Sequence, residues 1–131
     1  MSRVSAQFEP QPSEARSARR FVTEAVGSDR RPIPEFLPLL TSELASNAVV
    51  HARTPFTVSV IFDANQVRVE VRDGNPQLPV PAEPDIETVT GRGLLLISEL
   101  ADRWGVEGLP TGKLVWIELD RDEAATEDGV A

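Results

Sequence analysis

The sequence predicts an α+β fold, a two-layer sandwich in which helices cover one face of a mainly antiparallel, mixed β-sheet. Two alternating segments, Phe56–Phe62 and Gln66–Asp73, flank a short turn and predict a β-hairpin. A second pair of apolar strand segments lies at residues 106–109 and 113–119. Helical patterns come before the first pair and between the two pairs. Elements in this order favour helices packed on one side of an antiparallel sheet.

Composition limits the kinds of protein this chain can be. Its 131 residues, of which 40% are hydrophobic, indicate one globular domain with a modest core. The absence of cysteine excludes disulfides and thiolate metal sites, and is typical of a reducing compartment. A single histidine excludes a zinc site built from several histidines of one chain.

Charge and hydropathy bear on the partners and on the location. The formal net charge of -8 argues against direct binding to nucleic acid, because binding to the phosphate backbone depends on clustered Lys and Arg. No apolar run reaches the roughly 18 residues needed to span a membrane, and the N-terminus lacks the apolar core of a signal peptide. We therefore expect a cytoplasmic protein that does not bind membranes.

The N-terminal part of the chain combines a polar segment with a helix. Residues 1–12 are polar, with a short strand expected at residues 4–8. A helix is predicted from Ser13, as its N-cap, to about Val26. The polar side of this helix carries three arginines: Arg16, Arg19 and Arg20. They form either a solvated face or a basic patch for an acidic partner.

The segment at residues 40–52 is the most informative helix. It consists of good helix formers, and its apolar residues recur every three or four positions. Glu43 and Asn47 lie one turn apart, beside the apolar stripe rather than opposite to it. Polar groups at the edge of a buried face are costly unless they are paired. The two are therefore either a rim pair satisfied by backbone groups or ligands of a hard cation or a phosphate.

A further polar residue stands at the end of the second predicted strand. Val67, Val69 and Val71 point to one face of that strand, and by parity Asp73 points to the same face. Because a turn begins at Gly74, Asp73 is either a turn cap or a carboxylate directed into a site.

A proline-containing loop at residues 74–90 is longer than an ordinary connection. It ends in Gly-Arg-Gly, and a helix is predicted over residues 94–104. A glycine-rich turn before a helix offers free backbone N–H groups and the positive end of the helix dipole, which suit phosphate. The same arrangement is also common as a plain tight turn. The closing hairpin turns at residues 110–112, and residues 120–131 are expected to form a disordered acidic tail.

Two familiar phosphate-binding sites are excluded by spacing, and a serine hydrolase is disfavoured. The segment from Gly108 to Lys113 is one residue short of a P-loop, and Leu114 follows where Ser or Thr would be required. Residues 91–96 lack the third glycine of a dinucleotide-binding turn and have no strand directly before them. A serine hydrolase is disfavoured because no serine stands in a Gly-x-Ser-x-Gly turn and His51 is the single candidate base.

Three motifs in a fixed order carry a family resemblance. They are Ser-Glu-Leu-Ala-Ser-Asn-Ala-Val-Val-His-Ala at residues 42–52, Val-Arg-Asp-Gly-Asn-Pro at residues 71–76, and Gly-Arg-Gly-Leu with Leu-Ala-Asp-Arg-Trp-Gly within residues 91–105. Together they resemble the histidine-kinase-like (GHKL) ATPase superfamily, and most closely its small single-domain anti-sigma-factor serine kinases. The resemblance covers residues 4–119. It implies a Bergerat ATP-binding fold, with the ATP-binding domain at residues 13–119.

The resemblance implies a role for each matching residue. Glu43 matches the acid that takes the proton from the attacking hydroxyl in kinase members, and Asn47 matches the Mg²⁺ ligand. Asp73 matches the carboxylate that accepts a hydrogen bond from the adenine amino group. The remaining matches lie in the glycine-rich segments that meet the nucleotide: Gly74, Asn75, Gly91, Arg92, Gly93 and Leu94. ATP and Mg²⁺ are the implied cofactors.

One motif departs from the family pattern. Where the family has Asp-x-Gly-x-Gly, this chain has Asp-Gly-Asn-Pro-Gln at residues 73–77, so both expected glycines are missing. Asn75 tolerates the left-handed conformation that a glycine would adopt, and Gly74 is able to provide the close approach. The loop that follows matches the lid over ATP, and it has no basic residue before Arg92.

The family resemblance and the altered glycine motif leave three functions to be compared. The first is a protein serine/threonine kinase that acts as a homodimer. It phosphorylates an anti-sigma antagonist, releases it, and is then free to sequester a sigma factor. The second is a catalytically inactive binding module that regulates its partner by sequestration alone, which the altered glycine motif favours. The third, a catalytic fragment of a histidine kinase, is disfavoured because no phospho-acceptor domain with its own histidine is evident.

Overall fold

The computed structural model describes residues 1–75 and 89–121, with the backbone alone for residues 89–93. Its elements are β1 Ser2–Phe8, α1 Pro12–Gly27, α2 Leu37–Asn47, a π-helical turn Ala48–Ala52, β2 Phe56–Phe62, β3 Gln66–Asp73, α3 Val89–Leu100, β4 Arg103–Leu109 and β5 Gly112–Asp120. In this part of the chain, five strands form one sheet in the order β1-β2-β3-β5-β4. All its pairings are antiparallel, so the α+β sandwich is confirmed and the expected mixed sheet is corrected to an antiparallel one.

The hydrophobic core lies between the helices and one face of the sheet. Alternate residues of the three central strands point into it, among them Val58, Val60, Val67, Val69, Val71, Val115 and Ile117. The helices contribute their apolar sides, including Val22, Val26, Leu37, Leu40, Leu44, Leu94 and Ile97. Burial of one such side chain contributes about 1.5–3 kcal/mol, so this contact fixes α2 over the sheet. Within the described residues, no helix is long and apolar enough to cross a membrane.

Each of the first two helices has a proline in its first turn. α1 starts at Pro12, and its N-cap is Gln11, which makes no side-chain capping hydrogen bond, so the assignment of Ser13 as N-cap is wrong. Proline suits the first helical position because its φ is already helical and its missing N–H has no partner to lose there. α2 starts at Leu37, with Pro38 in its first turn for the same reason.

The third helix and the strand after it also differ from the expectation. α3 spans Val89–Leu100 rather than residues 94–104, so the Gly-Arg-Gly backbone lies within the helix and not in a turn before it. Trp104 belongs to β4, where it lies opposite Ile117. Asp102 accepts a hydrogen bond from the N–H of Asp120 at 2.7 Å. These contacts with β5 outweigh the local helix propensity of residues 101–104.

The sheet face opposite the helices is polar. Arg68 pairs with Glu70 and Glu118 at 2.8 Å each. Its guanidinium lies 4.2 Å from the centre of the Trp116 ring. A Cβ atom on Gly105 would lie 2.7 Å from that ring, so a glycine on β4 allows the indole to cover the strand. This surface therefore combines ion pairs with one large aromatic side chain.

Arg121 ties the end of β5 to two distant loops. Its guanidinium donates to Oδ2 of Asp29 at 2.7 Å and to the carbonyl oxygens of Pro32 at 3.0 Å and Asp63 at 3.1 Å. The Arg121 side chain is only 1% exposed. Asp120 ends β5, so these two residues do not belong to the expected disordered tail. The rest of that tail, residues 122–131, lies outside the described residues.

We expect Arg121→Ala to lower the free energy of unfolding by about 3 kcal/mol, because Asp29 and two backbone carbonyls lose a buried cation. Urea unfolding followed by circular dichroism measures the change. The control is Arg20→Ala, an exposed arginine of α1, which should change stability by less than about 0.5 kcal/mol. Equal effects of the two substitutions would contradict this role of Arg121.

Candidate functional site

The candidate site lies where α2 and its π-helical turn pass over the ends of β3 and β5. α2 packs on both strands, and the π-helical turn packs on β3. The carbonyl oxygen of His51 accepts a hydrogen bond from Nδ2 of Asn75 at 3.3 Å, which joins the turn to the segment after β3. The fold thus brings the candidate residues of α2 and those that follow β3 to one edge of the interface between the layers.

Glu43 and Asn47 both lie in α2, four residues apart and therefore on one side of the helix. The Asn47 carboxamide is the unusual group of this pair. Its Oδ1 and Nδ2 atoms are buried, and neither has a hydrogen-bond partner among the described residues. An unsatisfied buried polar group costs about 1–3 kcal/mol, and native proteins keep few of them. A ligand that bonds to this carboxamide would remove that cost.

The Asp73 side chain points to the buried face of β3, as the valine alternation predicts, and it is 3% exposed. Its carboxylate forms an ion pair with Lys113, whose Nζ lies 3.0 Å from Oδ2 and 3.2 Å from Oδ1. The same Nζ donates to the carbonyl oxygen of Asn75 at 3.3 Å. The expected base-binding carboxylate is therefore already paired with a buried cation.

Lys113 was missed by the sequence reasoning, although the signal was present. On β5, Val115, Ile117 and Leu119 form a buried row, and the same parity that places Asp73 inward places Lys113 inward. Lys113 lies directly opposite Asp73 in the β3–β5 register. Gly112 permits this approach, because a Cβ atom there would overlap the carbonyl oxygen of Asp73.

The turn after β3 is held by hydrogen bonds rather than by unusual backbone angles. The N–H of Asn75 donates to Oδ1 of Asp73 at 2.8 Å, and the N–H of Gly74 donates to Oγ1 of Thr54 at 2.9 Å. Neither Gly74 nor Asn75 has a positive φ. The tolerance of asparagine for the left-handed conformation is therefore not needed here.

His51 is the second residue at this site to which the sequence reasoning gave no role in binding. It lies in the π-helical turn, and its Nε2 atom is buried without a hydrogen-bond partner among the described residues. Burial, and then the positive charges of Lys113 and Arg53, lower the pKa of His51 below its ordinary value of 6.5. His51 is therefore neutral at pH 7.

The candidate residues of α3 are described only in part. The backbone of Gly91, Arg92 and Gly93 lies in the N-terminal half of the helix, while Leu94 is a core residue, 1% exposed. Leu94 therefore packs into the core and holds this part of α3 in place. The segment expected to act as a lid falls mostly on residues 76–88, which lie outside the described residues.

Comparison with known proteins gives one match. A family model described as a histidine kinase-like ATPase domain matches residues 8–119. The matched range includes every candidate residue named above, from Glu43 to Lys113. No curated protein matches the chain significantly.

We expect the free energy of unfolding to decrease as the pH falls below about 6.5. The pKa of His51 is lowered by folding, so the unfolded chain binds a proton there that the folded chain resists. The stabilisation is therefore complete above the unfolded pKa and is lost as the pH falls through the folded one.

Urea unfolding of wild type and of His51→Gln, at pH values from about 7.5 to 5, measures this effect. The variant should have a flatter profile in that range, because glutamine does not titrate. Parallel profiles would show that His51 does not cause the decrease.

Proposed function

Because the chain belongs to the histidine kinase-like ATPase family, we propose that it is an ATP-binding regulator with protein serine/threonine kinase activity, like the anti-sigma-factor kinases. Domains of this family bind ATP, usually with Mg²⁺. The observation that carries the proposal is the buried, unpartnered carboxamide of Asn47, one helical turn after Glu43. A binding group and an acid on one helix face suit the transfer of a phosphoryl group.

Asn47 fits a magnesium ion that is shared with a nucleotide. Mg²⁺ prefers oxygen ligands and usually takes only one or two from the protein, the rest coming from phosphates and water. The residues that the structure describes contain no group of three or more His, Asp or Glu side chains placed to hold a metal. The Oδ1 atom of Asn47 would supply the protein ligand, and the bound ion would neutralise phosphate charge.

The base and the phosphates would meet different elements. Asp73 supplies a buried carboxylate for the amino group of adenine, at the end of β3. The backbone N–H groups of the first turn of α3, with the positive end of its dipole, would bind the phosphates. Leu94 and Ile97 are fully buried and anchor this helix to the core. The glycines of the Gly-Arg-Gly segment would let the phosphates approach the backbone closely.

Glu43 is the proposed general base for the transfer. Its carboxylate would take the proton from a serine or threonine hydroxyl of the protein substrate. The hydroxyl oxygen would bond to the γ-phosphorus of ATP while the bond from that phosphorus to the bridging oxygen breaks and ADP leaves. The substrate would be an anti-sigma antagonist, and the partner held between phosphorylation events would be a sigma factor. We propose that the protein acts in the cytoplasm as a homodimer.

Binding without catalysis is the second candidate function, and one observation favours it. The Asp73 carboxylate already accepts hydrogen bonds from Lys113 and from the N–H of Asn75. Adenine would therefore have to bind a carboxylate that has two other partners, which weakens nucleotide binding. A module that binds nucleotide weakly would regulate its partner by sequestration alone. The exposed arginines 16, 19 and 20 of α1 offer a basic surface for an acidic partner in either case.

We expect Mg-ATP to bind the wild-type protein, and Asn47→Ala to lose the dependence of this binding on Mg²⁺. Isothermal titration with ATP, in the presence of Mg²⁺ or of a chelator, measures both affinities. Alanine is the better helix former, so the helix content should be retained. If wild type binds ATP equally well with and without Mg²⁺, Asn47 is not a metal ligand.

We expect Glu43→Gln to bind ATP like wild type while transferring phosphate about 10²–10⁴-fold more slowly, because glutamine cannot accept the proton. The assay follows radiolabelled phosphate from ATP to the purified antagonist, with a sigma-factor pull-down in parallel. Glu99→Gln, an exposed change on α3, is the control. Undiminished transfer by Glu43→Gln would exclude a catalytic role, and tight sigma-factor binding by a wild type that transfers nothing would favour the sequestration module.

A further inference from the structure

A groove separate from the candidate nucleotide site lies where the loop between α1 and α2 meets the ends of α3 and β5. Its volume is about 450 Å³, within the range of about 300–1,000 Å³ that is usual for ligand pockets. No residue proposed to bind nucleotide lines it. Six of its nine lining residues are apolar: Pro32, Ile33, Pro34, Phe36, Leu100 and Leu119.

The loop that forms one wall of the groove is held in place by hydrogen bonds. The carbonyl oxygen of Pro32 accepts two of them from the Arg121 guanidinium, at 3.0 and 3.2 Å. The wall is thus ordered, yet Ile33 is 37% exposed and Phe36 is 38% exposed. Single exposed apolar side chains are ordinary, but two of them along one apolar groove are typical of a surface that a partner covers. Because the loop is already fixed, such a partner would lose little affinity to ordering it.

The other three lining residues are acidic: Glu35, Asp102 and Asp120. Asp120 is paired with Arg103 at 2.6 Å, whereas neither Glu35 nor Asp102 has an ion pair among the described residues. Arginines 30 and 31 precede the groove in the sequence but do not line it. The groove therefore combines an apolar surface with uncompensated negative charge, which complements an apolar side chain next to Lys or Arg.

Charge also argues against the occupants that this chain itself offers. Residues 122–131 follow Arg121 directly, but they contain four acidic residues and no basic one, so the acidic groove would repel them. A second copy related by a two-fold axis, groove against groove, would bring the same carboxylates face to face. Nucleic acid and anionic lipid would be repelled in the same way. A basic segment of another protein suits the groove best.

We propose that this groove is a docking site for a basic, apolar segment of a partner protein. One large apolar side chain of the segment enters the groove and covers Ile33 and Phe36, while adjacent Lys or Arg side chains pair with Glu35 and Asp102. The apolar side chain supplies most of the affinity, and the charge pairs supply orientation and a faster association rate. Docking here requires no nucleotide, so this inference does not rest on the proposed function.

The first test selects peptides without assuming a partner. A phage library of random peptides is selected against the full-length protein, and the most enriched peptide is synthesised with a fluorescent label. We expect it to contain a large apolar residue next to Lys or Arg. Fluorescence anisotropy then measures its affinity for the wild-type protein. No enrichment, or enrichment of acidic sequences, would overturn the inference.

The second test asks whether the selected peptide binds in the groove. Ile33→Ser and Glu35→Lys should each weaken binding by about tenfold or more. Both residues are exposed, so the fold should be retained, which circular dichroism checks. Val4→Ser on β1 and Glu24→Lys on α1 are the matched controls, since they change exposed side chains of the same types elsewhere, and both should bind like wild type. Unchanged affinity in the two groove variants would place the peptide elsewhere and overturn the inference.

An exchange of charges separates docking in the groove from general attraction to a protein of net charge -8. A peptide with Glu in place of its Lys and Arg should bind Glu35→Lys more tightly than it binds wild type. This preference should shrink as NaCl is raised from about 0.05 to 0.5 M, because salt screens exposed charges. Equal weakening of the basic peptide by Glu35→Lys and Glu24→Lys would show that net charge alone attracts it, and the inference would fail.

Sedimentation velocity of wild type and Ile33→Ser tests the remaining occupant. We expect the two proteins to have the same oligomeric state. If the substitution dissociates a wild-type oligomer, a second copy of the chain fills the groove rather than a partner protein, and the inference is overturned.

Discussion

The register between β3 and β5 is the constraint on which the site depends. It places Asp73 opposite Lys113 and lets Gly112 lie against the carbonyl oxygen of Asp73. A slip of one residue would turn every side chain of a strand to the other face and put the valine row in water. The cost of exposing Val67, Val69 and Val71 therefore also fixes the position of the two charged groups. The core therefore positions the site, because the core valines and the two charged residues lie on the same face of the sheet.

Prediction from the sequence succeeded where the periodicity of a single strand or helix determined which way a side chain points. The alternation in β3 correctly placed Asp73 on the buried face, and the helical spacing correctly placed Glu43 one turn before Asn47. Prediction failed where a contact with a residue distant in sequence decided between helix and strand, or between an exposed and a buried side chain. Residues 101–104 continue a helical pattern, yet pairing with β5 takes Trp104 into a strand. Lys113 was missed because a lysine at the start of a strand is ordinarily solvated, and its partner is distant in sequence.

The π-helical turn shows a different reason why a site is hard to predict. Residues 48–52 have the composition of an α-helix, but the N–H of Arg53 bonds to the carbonyl oxygen of Ala48, five residues earlier, at 3.1 Å. Such turns are rare and occur often at functional sites. The wider turn alters the direction in which His51 projects relative to Asn47, four residues before it. If α-helical spacing is assumed beyond residue 47, the expected direction of the His51 side chain is wrong. Nothing in the local sequence indicates the π-helical turn.

At residue 75, the first position where the family has a glycine, the structure shows how this chain forms the turn without one. A glycine is required where φ is positive or where backbones approach closely, and residues 74 and 75 meet neither demand. Instead, Asn75 is fixed by its own N–H, bonded to Asp73, and by its side-chain amide, bonded to the carbonyl oxygen of His51. Its carbonyl oxygen then accepts from Lys113. One residue thus links the Asp73 carboxylate, the buried lysine and the helix that carries Asn47, so at residue 75 hydrogen bonds take the place of a glycine's conformational freedom. A turn held in this way is ordered before any ligand arrives, which reduces the entropy that binding must remove.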